Sequence, residues 1–423
     1  MKVLVYPHDL NIGGSQLNAI DIAAAVHQLG HETVIFGMPG ALIPYIKDRG
    51  LAFLEAPNPG HRPSPRVVRA LRDVIRERQI DVVHAYELPP ALEALWATRG
   101  LAHTTLVTTV MSMAVAPFIP KHVPLLVGTK EIAAAEREFG RDIVGLLEPP
   151  VDLLRNGPSI EVGVQAFRRK WGLEDQKYNV VVVSRLAHEL KLEGLLGAIA
   201  AIEQLAAALP VRLLICGDGP AGGRIRCLAK EVNLRVGPGT IVVTGELDDP
   251  RAAYATADVT LGMGGSALRA MAFGKPLVVQ GEGGFWKLLT PDTLDQFLWT
   301  GWFGVGSDPE QGPARLVKIL QSLLPDVDRR RELGDFSART VHERFSVDTA
   351  ARKQLAFYER AAGRRVNWRS DHVHATVAAV RFMRYHADRR LQQLRGSVAS
   401  DDFNSRRVIR KPQMVEMQQR MER

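Results

Sequence analysis

Residues 179–194 read NVVVVSRLAHELKLEG, and this stretch decides the fold class. The run of valines after Asn179 is typical of a strand buried on both faces, as in a parallel sheet covered by helices. A polar turn follows, and the apolar pattern of Leu192–Leu209 predicts a long helix. The next strand-like run is Arg212–Cys216, so the sequence indicates a strand–helix–strand unit with parallel strands.

The same alternation continues toward the C-terminus. We predict a helix near Gly223–Val232, strands at Thr240–Thr244, Val259–Met263 and Pro276–Gln280, and helices at Arg251–Thr256 and Ser266–Phe273. This pattern predicts a doubly wound α/β domain over residues 156–345. The segment Val151–Tyr178 contains an Asn-Gly-Pro turn and several charges, and it is interpreted as a linker followed by the first helix of that domain.

Residues 1–155 show their own strand–helix alternation. The candidate strands are Val3–Tyr6, Thr33–Phe36, Ala52–Glu55, Val82–Ala85, Thr105–Val110, Pro124–Gly128 and Ile143–Leu147. Helical patterns lie between them, at Gln16–Gln28 and Pro65–Arg78 among others. We therefore predict an α/β protein with two Rossmann-like doubly wound domains. Ligands bind beyond the carboxyl ends of the strands in such sheets, so we expect the two domains to face each other across a cleft.

Length and composition fit two globular domains. The 423 residues are 46% hydrophobic and 24% charged, and no apolar run reaches the ~18 residues that predict a membrane span. The N-terminal MKVLVYPHDL predicts a first strand, since a secretory leader needs a longer apolar core. Cys216 and Cys227 are interpreted as small thiols in a reducing compartment, without a disulfide or zinc site. These features predict a cytoplasmic protein.

The net charge of +8 comes from one end of the chain. From Arg364 onward there are 14 Lys/Arg and 6 Asp/Glu, whereas the first 363 residues carry 40 of each sign. The basic balance therefore describes a C-terminal tail, and the main body gives no support to nucleic-acid binding.

The tail, residues 363–423, contains a helical stripe of apolar residues that is broken by Arg384. The stripe consists of Val373, Val377, Val380, Ala387, Leu391 and Leu394, and Arg381, Arg389, Arg390 and Arg395 flank it. An amphipathic basic helix of this kind packs on its own protein, binds a partner, or lies peripherally on an anionic membrane, here at the inner face. The last stretch, Ser397–Arg423, is polar and is predicted to be disordered.

The loop after the first strand carries a glycine pair, Gly13 and Gly14. Paired glycines allow the backbone to approach a ligand closely, and the free N–H groups of the following helix suit an anion. Ser15 is alternatively the cap of that helix. Contact with a phosphorylated ligand and simple helix capping both fit the sequence.

The turn after the first strand of the second half is cationic. Arg185 follows that strand and Lys191 begins the next helix, so both side chains are expected at the carboxyl edge of the sheet. A guanidinium fork and an ammonium charge together suit a diphosphate. The alternative is a solvated charge pair at the start of a helix.

Two further glycine-rich loops follow strands of the second half. Gly217 and Gly219 form a turn that either shapes a nucleotide pocket or only connects strand and helix. In the second loop, residues 262–269, glycines precede a helix that Ser266 is predicted to cap, which leaves backbone donors aimed at one point.

Taken in order, these elements resemble the retaining GT-B glycosyltransferases of glycosyltransferase family 4. The matching stretches are MKVLVYP, GGSQ and LGHETVIF near the start, DVVHAYE at 81–87, VVVSRLA and KLEG at 181–194, LLICGDGP at 213–220, VVTGEL at 242–247, AYATADVTL at 253–261 and AMAFGKPLVV at 270–279. The resemblance covers about residues 1–360. It includes a segment like the family's last helix, which crosses back to the first domain over residues 346–362.

The resemblance implies an acceptor on the first domain and a nucleotide diphosphate sugar on the second, with retention of configuration. It implies that Arg185 and Lys191 neutralise the departing diphosphate, without a metal or another cofactor. Asp248-Asp249 is accordingly interpreted as the start of a helix. The implied donor contacts are Gly13, Gly14, Gly217, Gly219, Glu246, Leu247, Gly265, Ser266, Ala267, Leu268 and Arg269.

The chain departs from the family pattern at two places. Arg269 stands directly before AMA, where the family has a glutamate that grips the ribose, and Arg269 is expected to bind the diphosphate or to pair with an acid. Met111-Ser112-Met113 stands where the family has a histidine. Glu282, in a glycine-rich loop, is a candidate replacement carboxylate or a solvated side chain.

His84 and Glu87, near the end of a strand of the first domain, are candidates for acceptor contact or proton transfer. His84 alternates with apolar neighbours, so a hydrogen-bonded core histidine is the alternative. The leading hypothesis for the whole chain is sugar transfer from a nucleotide diphosphate sugar to an unknown acceptor. Nucleotide-sugar epimerisation and a catalytically impaired protein that binds a nucleotide sugar or a partner are the alternatives.

Overall fold

The computed structural model describes residues 1–112, 115–116, 118–173, 176–362 and 368–395. The chain forms two compact units, of which the first comprises residues 1–128, 132–147 and 351–423 and the second comprises residues 129–131 and 148–350. Met113, the predicted disordered end Ser397–Arg423 and the start of the tail at 363–367 lie outside the described residues.

The first unit contains a seven-stranded parallel sheet in the order β3-β2-β1-β4-β5-β6-β7. The strands are β1 (Lys2–Tyr6), β2 (Glu32–Gly37), β3 (Ala52–Glu55), β4 (Val82–Tyr86), β5 (Thr105–Val110), β6 (Leu125–Val127) and β7 (Val144–Leu146). Each strand predicted from the sequence is confirmed to within one residue at either end. The reversal of strand order beside β1 is the doubly wound arrangement, since β2 lies on one side of β1 and β4 on the other.

Helices follow the strands of this sheet. They are α1 (Gly14–Gln28), α2 (Ile43–Asp48), α3 (Pro65–Arg78), α4 (Pro90–Thr98) and α5 (Lys130–Glu138). Helix α3 is amphipathic, as its pattern of Val68, Leu71 and Ile75 predicts. Leu71 and Ile75 are buried in the core beside the sheet, but the valine buried with them is Val67, and Val68 is only partly buried. Its arginines lie on the more exposed side.

The second unit contains a six-stranded sheet in the order β10-β9-β8-β11-β12-β13. The strands are β8 (Tyr178–Val183), β9 (Val211–Cys216), β10 (Ile241–Gly245), β11 (Val259–Gly262), β12 (Leu277–Gln280) and β13 (Trp286–Leu288). The valine run forms β8 at the centre of this sheet, and Val180, Val181 and Val182 are buried. The sequence did not predict β13, which pairs antiparallel with β12.

The helices of the second unit cover both faces of its sheet. They are α6 (Val164–Trp171), α7 (Leu192–Leu205), α8 (Gly222–Val236), α9 (Arg251–Thr256), α10 (Gly265–Ala272), α11 (Leu294–Thr300), α12 (Gly312–Leu323) and α13 (Val327–Arg344). Helix α7 packs against α12 and β9, which buries its apolar face in the larger core of this unit. Two such doubly wound sheets confirm the predicted α/β class.

Two helices end the described chain, α14 (Val347–Ala362) and α15 (Trp368–Leu394). From Ala351 onward they belong to the first unit. Helix α15 packs through Ala375, Ala378 and Phe382 into a cluster that includes residues of α4 and β6. The apolar stripe that the sequence indicated is not this packing face, because all of its members are exposed. The side chain of Arg389 lies outside the described residues.

Candidate functional site

The cationic and glycine-rich loops of the second unit follow β8, β9, β10, β11 and β12. These strands are mutually parallel, so the loops that follow them meet at one edge of the sheet. The edge therefore brings together most of the residues for which the sequence predicted donor contact.

The loops after β8 and β9 are locked together by backbone hydrogen bonds. Ser184 N donates to Cys216 O at 3.0 Å, Leu186 N donates to Asp218 O at 2.9 Å, and Ala221 N donates to Leu186 O at 2.8 Å. This ladder extends the strand pairing into the turn. It fixes the backbone on both sides of Arg185, whose side chain is exposed at the edge.

Gly217 and Gly219 make this close approach possible. A Cβ on Gly217 would overlap the carbonyl oxygen of Ser184, and a Cβ on Gly219 would lie 2.7 Å from the carbonyl oxygen of Leu186. Both glycines also have positive φ, 138° and 155°. The turn interpretation of these glycines is therefore supported, and their contact with a donor stays a prediction.

Lys191 is the N-cap residue of α7 and is partly buried. Its backbone carbonyl accepts hydrogen bonds from Leu195 N and, at 3.3 Å, from Gln280 Nε2, which ties the start of α7 to the end of β12. Burial lowers the pKa of its ammonium to about 8. Within the described residues no hydrogen bond or ion pair of the ammonium occurs. A partly desolvated cation without a compensating anion suits a negatively charged ligand.

Helix α10 presents its first turn at the same edge. Gly264, the N-cap, has φ 53° and ψ −131°, a conformation that glycine adopts readily. Its N–H donates to Trp302 O at 3.0 Å, and Leu268 N donates to Gly264 O. The N–H groups of Gly265, Ser266 and Ala267 have no acceptor in the described part of the chain. Three such donors form the positive end of the helix dipole.

The predicted cap of α10 is wrong. Ser266 lies inside the helix, and its hydroxyl donates to Met263 O at 3.0 Å, so it stabilises the loop instead. Ala267 and Leu268 are fully buried in the core behind the helix. Any contact of these two residues with a ligand therefore involves the backbone N–H groups and not the side chains.

Arg269 folds back over the first turn of α10. A Cβ built on Gly265 would lie 3.6 Å from a terminal guanidinium nitrogen of Arg269. Burial raises the pKa of Tyr254, and the nearby charge of Arg269 partly offsets this effect. Among the described residues no acid pairs with Arg269, and its binding to a diphosphate stays a prediction.

Glu282 follows β12 in a loop whose backbone is held by the segment after α11. Its N–H donates to Gly304 O at 3.0 Å and its carbonyl accepts from Gly306 N at 2.7 Å. The side chain is partly buried. Glu193 in α7 accepts a hydrogen bond from Gly284 N at 2.7 Å, which fastens the same loop to the helix that begins beside Lys191.

Glu246 and Leu247 follow β10. Gly245 O accepts from Gly217 N at 2.8 Å, so this segment is joined to the locked loops described above. Glu246 is exposed, whereas Leu247 is half-buried against a small core cluster under α9. Asp249 pairs with Arg251 and accepts from its backbone N–H, as expected for the start of a helix.

The first unit has a polar edge of its own at the ends of β1, β4 and β5. Helix α1 begins at Gly14, with Gly13 as the N-cap, so Ser15 is not its cap. The Ser15 hydroxyl instead donates to Glu87 Oε1 at 3.3 Å. The same carboxylate accepts from the N–H of Met111 at 2.6 Å and from Ser112, through both its N–H and its hydroxyl.

Glu87 is buried and adopts a positive φ of 59°. Burial raises the pKa of its carboxyl, while the hydrogen bonds from Met111 and Ser112 and the charge of His8 counteract this effect. A strained backbone at a buried carboxylate is common at functional sites. Glu87, at the carboxyl edge of the first sheet, therefore stays a candidate for ligand contact.

Sequence reasoning missed a histidine–carboxylate pair beside Glu87. His8 Nε2 lies 2.7 Å from Asp9 Oδ2, and Gln16 Nε2 donates to Asp9 Oδ1 at 2.9 Å. Contacts with His8, Asn11 and Gln16 hold the pKa of Asp9 at about 2 although burial alone would raise it. The available signal was a polar His-Asp pair placed directly after an apolar strand.

His84 lies in the interior of the first sheet. Its Nδ1 is 2.7 Å from Tyr358 Oη in α14, and its Nε2 contacts Thr109 Oγ1 in β5. Burial lowers its pKa to about 3, so the ring is neutral, with one nitrogen donating and the other accepting. This geometry fits the alternative of a hydrogen-bonded core histidine. Both ring nitrogens contact protein hydroxyls, and the buried ring is not accessible to an acceptor substrate.

Within the described residues no cluster of His, Cys, Asp and Glu could hold a metal ion. In the same part of the chain, no helix combines the length and apolarity that crossing a membrane requires.

Each of the two units contains a region that matches a protein-family model. Residues 12–139 match the family described as Glycosyltransferase Family 4, and residues 177–321 match the family described as Glycosyl transferases group 1. The chain is 29% identical over 247 residues to a 2-deoxystreptamine glucosyltransferase of Streptomyces kanamyceticus. The aligned region covers 56% of this chain and 59% of the relative. The chain spans about half the length of the curated relatives it matches.

Solved structures share the fold at low sequence identity. A glycosyltransferase of Rickettsia africae covers 86% of this chain and 99% of its own, with a TM-score of 0.68 and 15% identity. The Anabaena protein HepE, solved with UDP-glucose, covers 85% of this chain and all of its own, with a TM-score of 0.67 and 14% identity. The two doubly wound units define a protein of the GT-B class. Within that class, each unit is similar to a different glycosyltransferase domain, the first to family 4 and the second to group 1.

Proposed function

We propose that this protein transfers a sugar from a nucleotide diphosphate sugar to a hydroxyl or amine acceptor. The observation that carries the proposal is the cationic edge of the second sheet. Lys191 is partly buried there without an anionic partner among the described residues, and the first-turn N–H groups of α10 lack acceptors. Both features bind the negative charge of a diphosphate more strongly than they bind water.

In the proposed reaction the bond between the anomeric carbon and the diphosphate oxygen breaks, and a bond forms between that carbon and the oxygen or nitrogen of the acceptor. The acceptor's proton passes to the leaving diphosphate, on which negative charge develops. This charge is stabilised by Arg185, Lys191 and Arg269 together with the α10 backbone donors. These groups therefore stabilise the transition state more than the ground state. These cations replace the metal ion that other enzymes use for the same purpose, and we propose that no metal or other cofactor is needed. Gly13 and Gly14 stay predicted donor contacts.

The remaining carboxylates divide into two groups. Glu282, partly buried beside the cationic edge, is proposed to bind hydroxyls of the donor, in the role that the family gives to a glutamate at the position of Arg269. Glu87 and the His8–Asp9 pair, at the edge of the first sheet, are proposed to contact the acceptor. Hydrogen bonds between carboxylates and hydroxyls are charge-assisted and give such contacts their strength.

The nucleotide is proposed to be UDP, since HepE was solved with UDP-glucose and the Streptomyces relative is named a glucosyltransferase. Retention of configuration is proposed from the resemblance to family 4. The test of the donor site is calorimetric titration with UDP, GDP, ADP and TDP. We expect UDP to bind the wild-type protein and the Arg185→Ala/Lys191→Ala variant to lose most of the affinity.

A matched control removes two cations elsewhere. Arg224 and Lys230 are exposed on α8, so the Arg224→Ala/Lys230→Ala variant changes the net charge equally and should bind UDP normally. Equal losses in both double variants would show only a general charge effect and would contradict the assignment. Binding of UDP without transfer or hydrolysis of UDP-sugars would favour the catalytically impaired alternative. NMR of the product anomer reports retention, and activity in EDTA reports metal independence.

A further inference from the structure

Helix α15 has two apolar faces, of which only one is covered. Ala375, Ala378 and Phe382 are buried in the first unit. At 100° per residue these positions centre on the side opposite to Val373 and Val380. The helix therefore has a packing face and an outer apolar face on opposite sides.

The outer face is exposed along its whole length. Val373 is 62% exposed, Val377 40% and Val380 55%. Farther along, Met383, Ala387, Leu391 and Leu394 are also exposed and continue the same side. From Val373 to Leu394 this face extends about 30 Å at the rise of an α-helix. An exposed apolar face of this length on a folded protein, although Arg384 interrupts it, indicates an interaction site.

The charges on and beside this face are mostly positive. Arg384 lies within the apolar stripe, and the exposed Arg381, Arg390 and Arg395 lie near it. The one acid among the described residues from Val373 to Arg395 is Asp388, and the chain from Arg364 onward carries a surplus of 8 positive charges. The surface thus combines apolar side chains that insert between lipid chains with guanidinium groups that pair with phosphate.

We propose that this outer face of α15 binds the surface of an anionic phospholipid membrane, with the helix axis parallel to the membrane plane. A second copy of the chain is disfavoured as the occupant, because two such faces would place like charges of Arg384 and its neighbours together. The opposite face stays packed on the first unit, so the helix attaches the folded protein to the lipid without unfolding it. The proposal does not depend on the sugar-transfer chemistry.

The test is co-sedimentation of the full-length protein with vesicles of phosphatidylcholine alone and with vesicles that also contain phosphatidylglycerol. We expect the protein to bind the anionic vesicles and to bind the neutral vesicles at least about tenfold more weakly. High salt should lower the affinity for the anionic vesicles. The Val373→Asp/Val377→Asp/Val380→Asp variant should fail to bind the anionic vesicles. Its circular dichroism and thermal unfolding should match the wild type, since these side chains are exposed.

The control variant is Leu154→Asp/Leu234→Asp, which alters residues that are 88% and 87% exposed in the second unit. It should bind anionic vesicles normally. Equal binding to both kinds of vesicle, no binding by the wild type, or unchanged binding by the triple variant would each overturn the proposal. Concentration-dependent dimerisation that the triple variant abolishes would instead identify a second copy as the occupant.

Discussion

The α-carbon of Gly217 lies so close to the carbonyl oxygen of Ser184 that no side-chain atom fits between them. The two residues follow neighbouring strands, β9 and β8, and the hydrogen bond from Ser184 N to Cys216 O holds them together. This contact determines where the chain turns before Arg185. The absence of a side chain at Gly217 thereby helps to position a cation that is proposed to bind a diphosphate.

We predict that Gly217→Ala lowers both the stability and the donor affinity. The methyl group would collide with the Ser184 carbonyl, and the positive φ of 138° adds strain for alanine. We expect a loss of about 1–3 kcal/mol in the free energy of unfolding and about tenfold weaker UDP binding, from displacement of the loop. Denaturant unfolding and calorimetry measure the two effects.

Gly223→Ala is the matched control, because Gly223 lies in α8 with open space around it. Alanine is the better helix former, so this variant should gain up to about 1 kcal/mol and bind UDP normally. Wild-type stability in Gly217→Ala would mean that the loop relaxes without cost, and the positional argument would then be wrong.

Most strands were predictable because each is a short apolar run between turn residues, and the central strands are also buried on both faces. The short antiparallel β13 was not predicted. The contacts that organise the edge were not predictable either, since they join segments far apart in sequence. Ser15 and Ser266 fit the pattern of helix caps, but the helices begin one or two residues earlier, at Gly14 and Gly265, and both hydroxyls serve loops instead. Local propensity could not distinguish these two uses of a serine.

The packing of the C-terminal helix α15 could not be predicted from its sequence either. A stripe that includes Val373 and Val380 is apolar by sequence, and burying it is the ordinary expectation. The buried face instead uses Ala375 and Ala378, whose small side chains let the helix approach α4 closely, together with Phe382. Which of two apolar faces packs depends on the shape of the partner surface, and the sequence of the helix alone does not contain that information.

Donor binding should weaken at alkaline pH because of Lys191. Burial lowers the pKa of its ammonium to about 8, so the free protein loses this charge as the pH rises through that value. A diphosphate binds the protonated form better, and at pH 9 only about a tenth of the lysines are charged. We therefore expect roughly tenfold weaker UDP binding at pH 9 than at pH 7, measured by calorimetry in matched buffers.

Lys191→Arg separates this titration from other effects of alkali. A guanidinium keeps its charge across the whole range, so the variant should show a nearly flat affinity between pH 7 and pH 9. A wild-type slope in Lys191→Arg would assign the pH dependence to another group and would remove Lys191 from the donor site.

Arg269 is predicted to contribute directly to diphosphate binding. Arg269→Ala removes a guanidinium that lies over the first turn of α10 and has no acidic partner among the described residues. The loss of a charge-assisted hydrogen bond should weaken UDP binding by about tenfold to a hundredfold. Stability should change little, because no ion pair is broken. Uridine, which lacks the phosphates, should bind the variant and the wild type alike.

Arg224→Ala on α8 serves as the control for the loss of one exposed arginine, and it should bind UDP normally. If Arg269→Ala bound UDP as tightly as the wild type, the guanidinium would have no part in the site. If Arg269→Glu bound UDP more tightly than the wild type, the position would hold the ribose, as the family glutamate does, and the proposed role of Glu282 would be wrong.

The burial of His84 should make the stability of the first unit depend on pH. Its folded-state pKa of about 3 lies below the ordinary value of 6.5, because burial disfavours the charged ring. Between these values the unfolded chain binds a proton that the folded chain does not. The free energy of unfolding therefore falls as the pH drops below about 6.5, with a contribution of about 3 kcal/mol from this residue at pH 4.

His84→Gln isolates this contribution from that of the carboxylates. The variant should be less stable than the wild type at pH 7, because glutamine cannot bond both partners. The difference should shrink steadily toward pH 4, because only the wild type has a protonation cost at this position. His103→Gln, at an exposed histidine, should follow the wild-type curve throughout. A constant difference between His84→Gln and the wild type would mean that His84 is charged in the folded state, which contradicts its placement in the core.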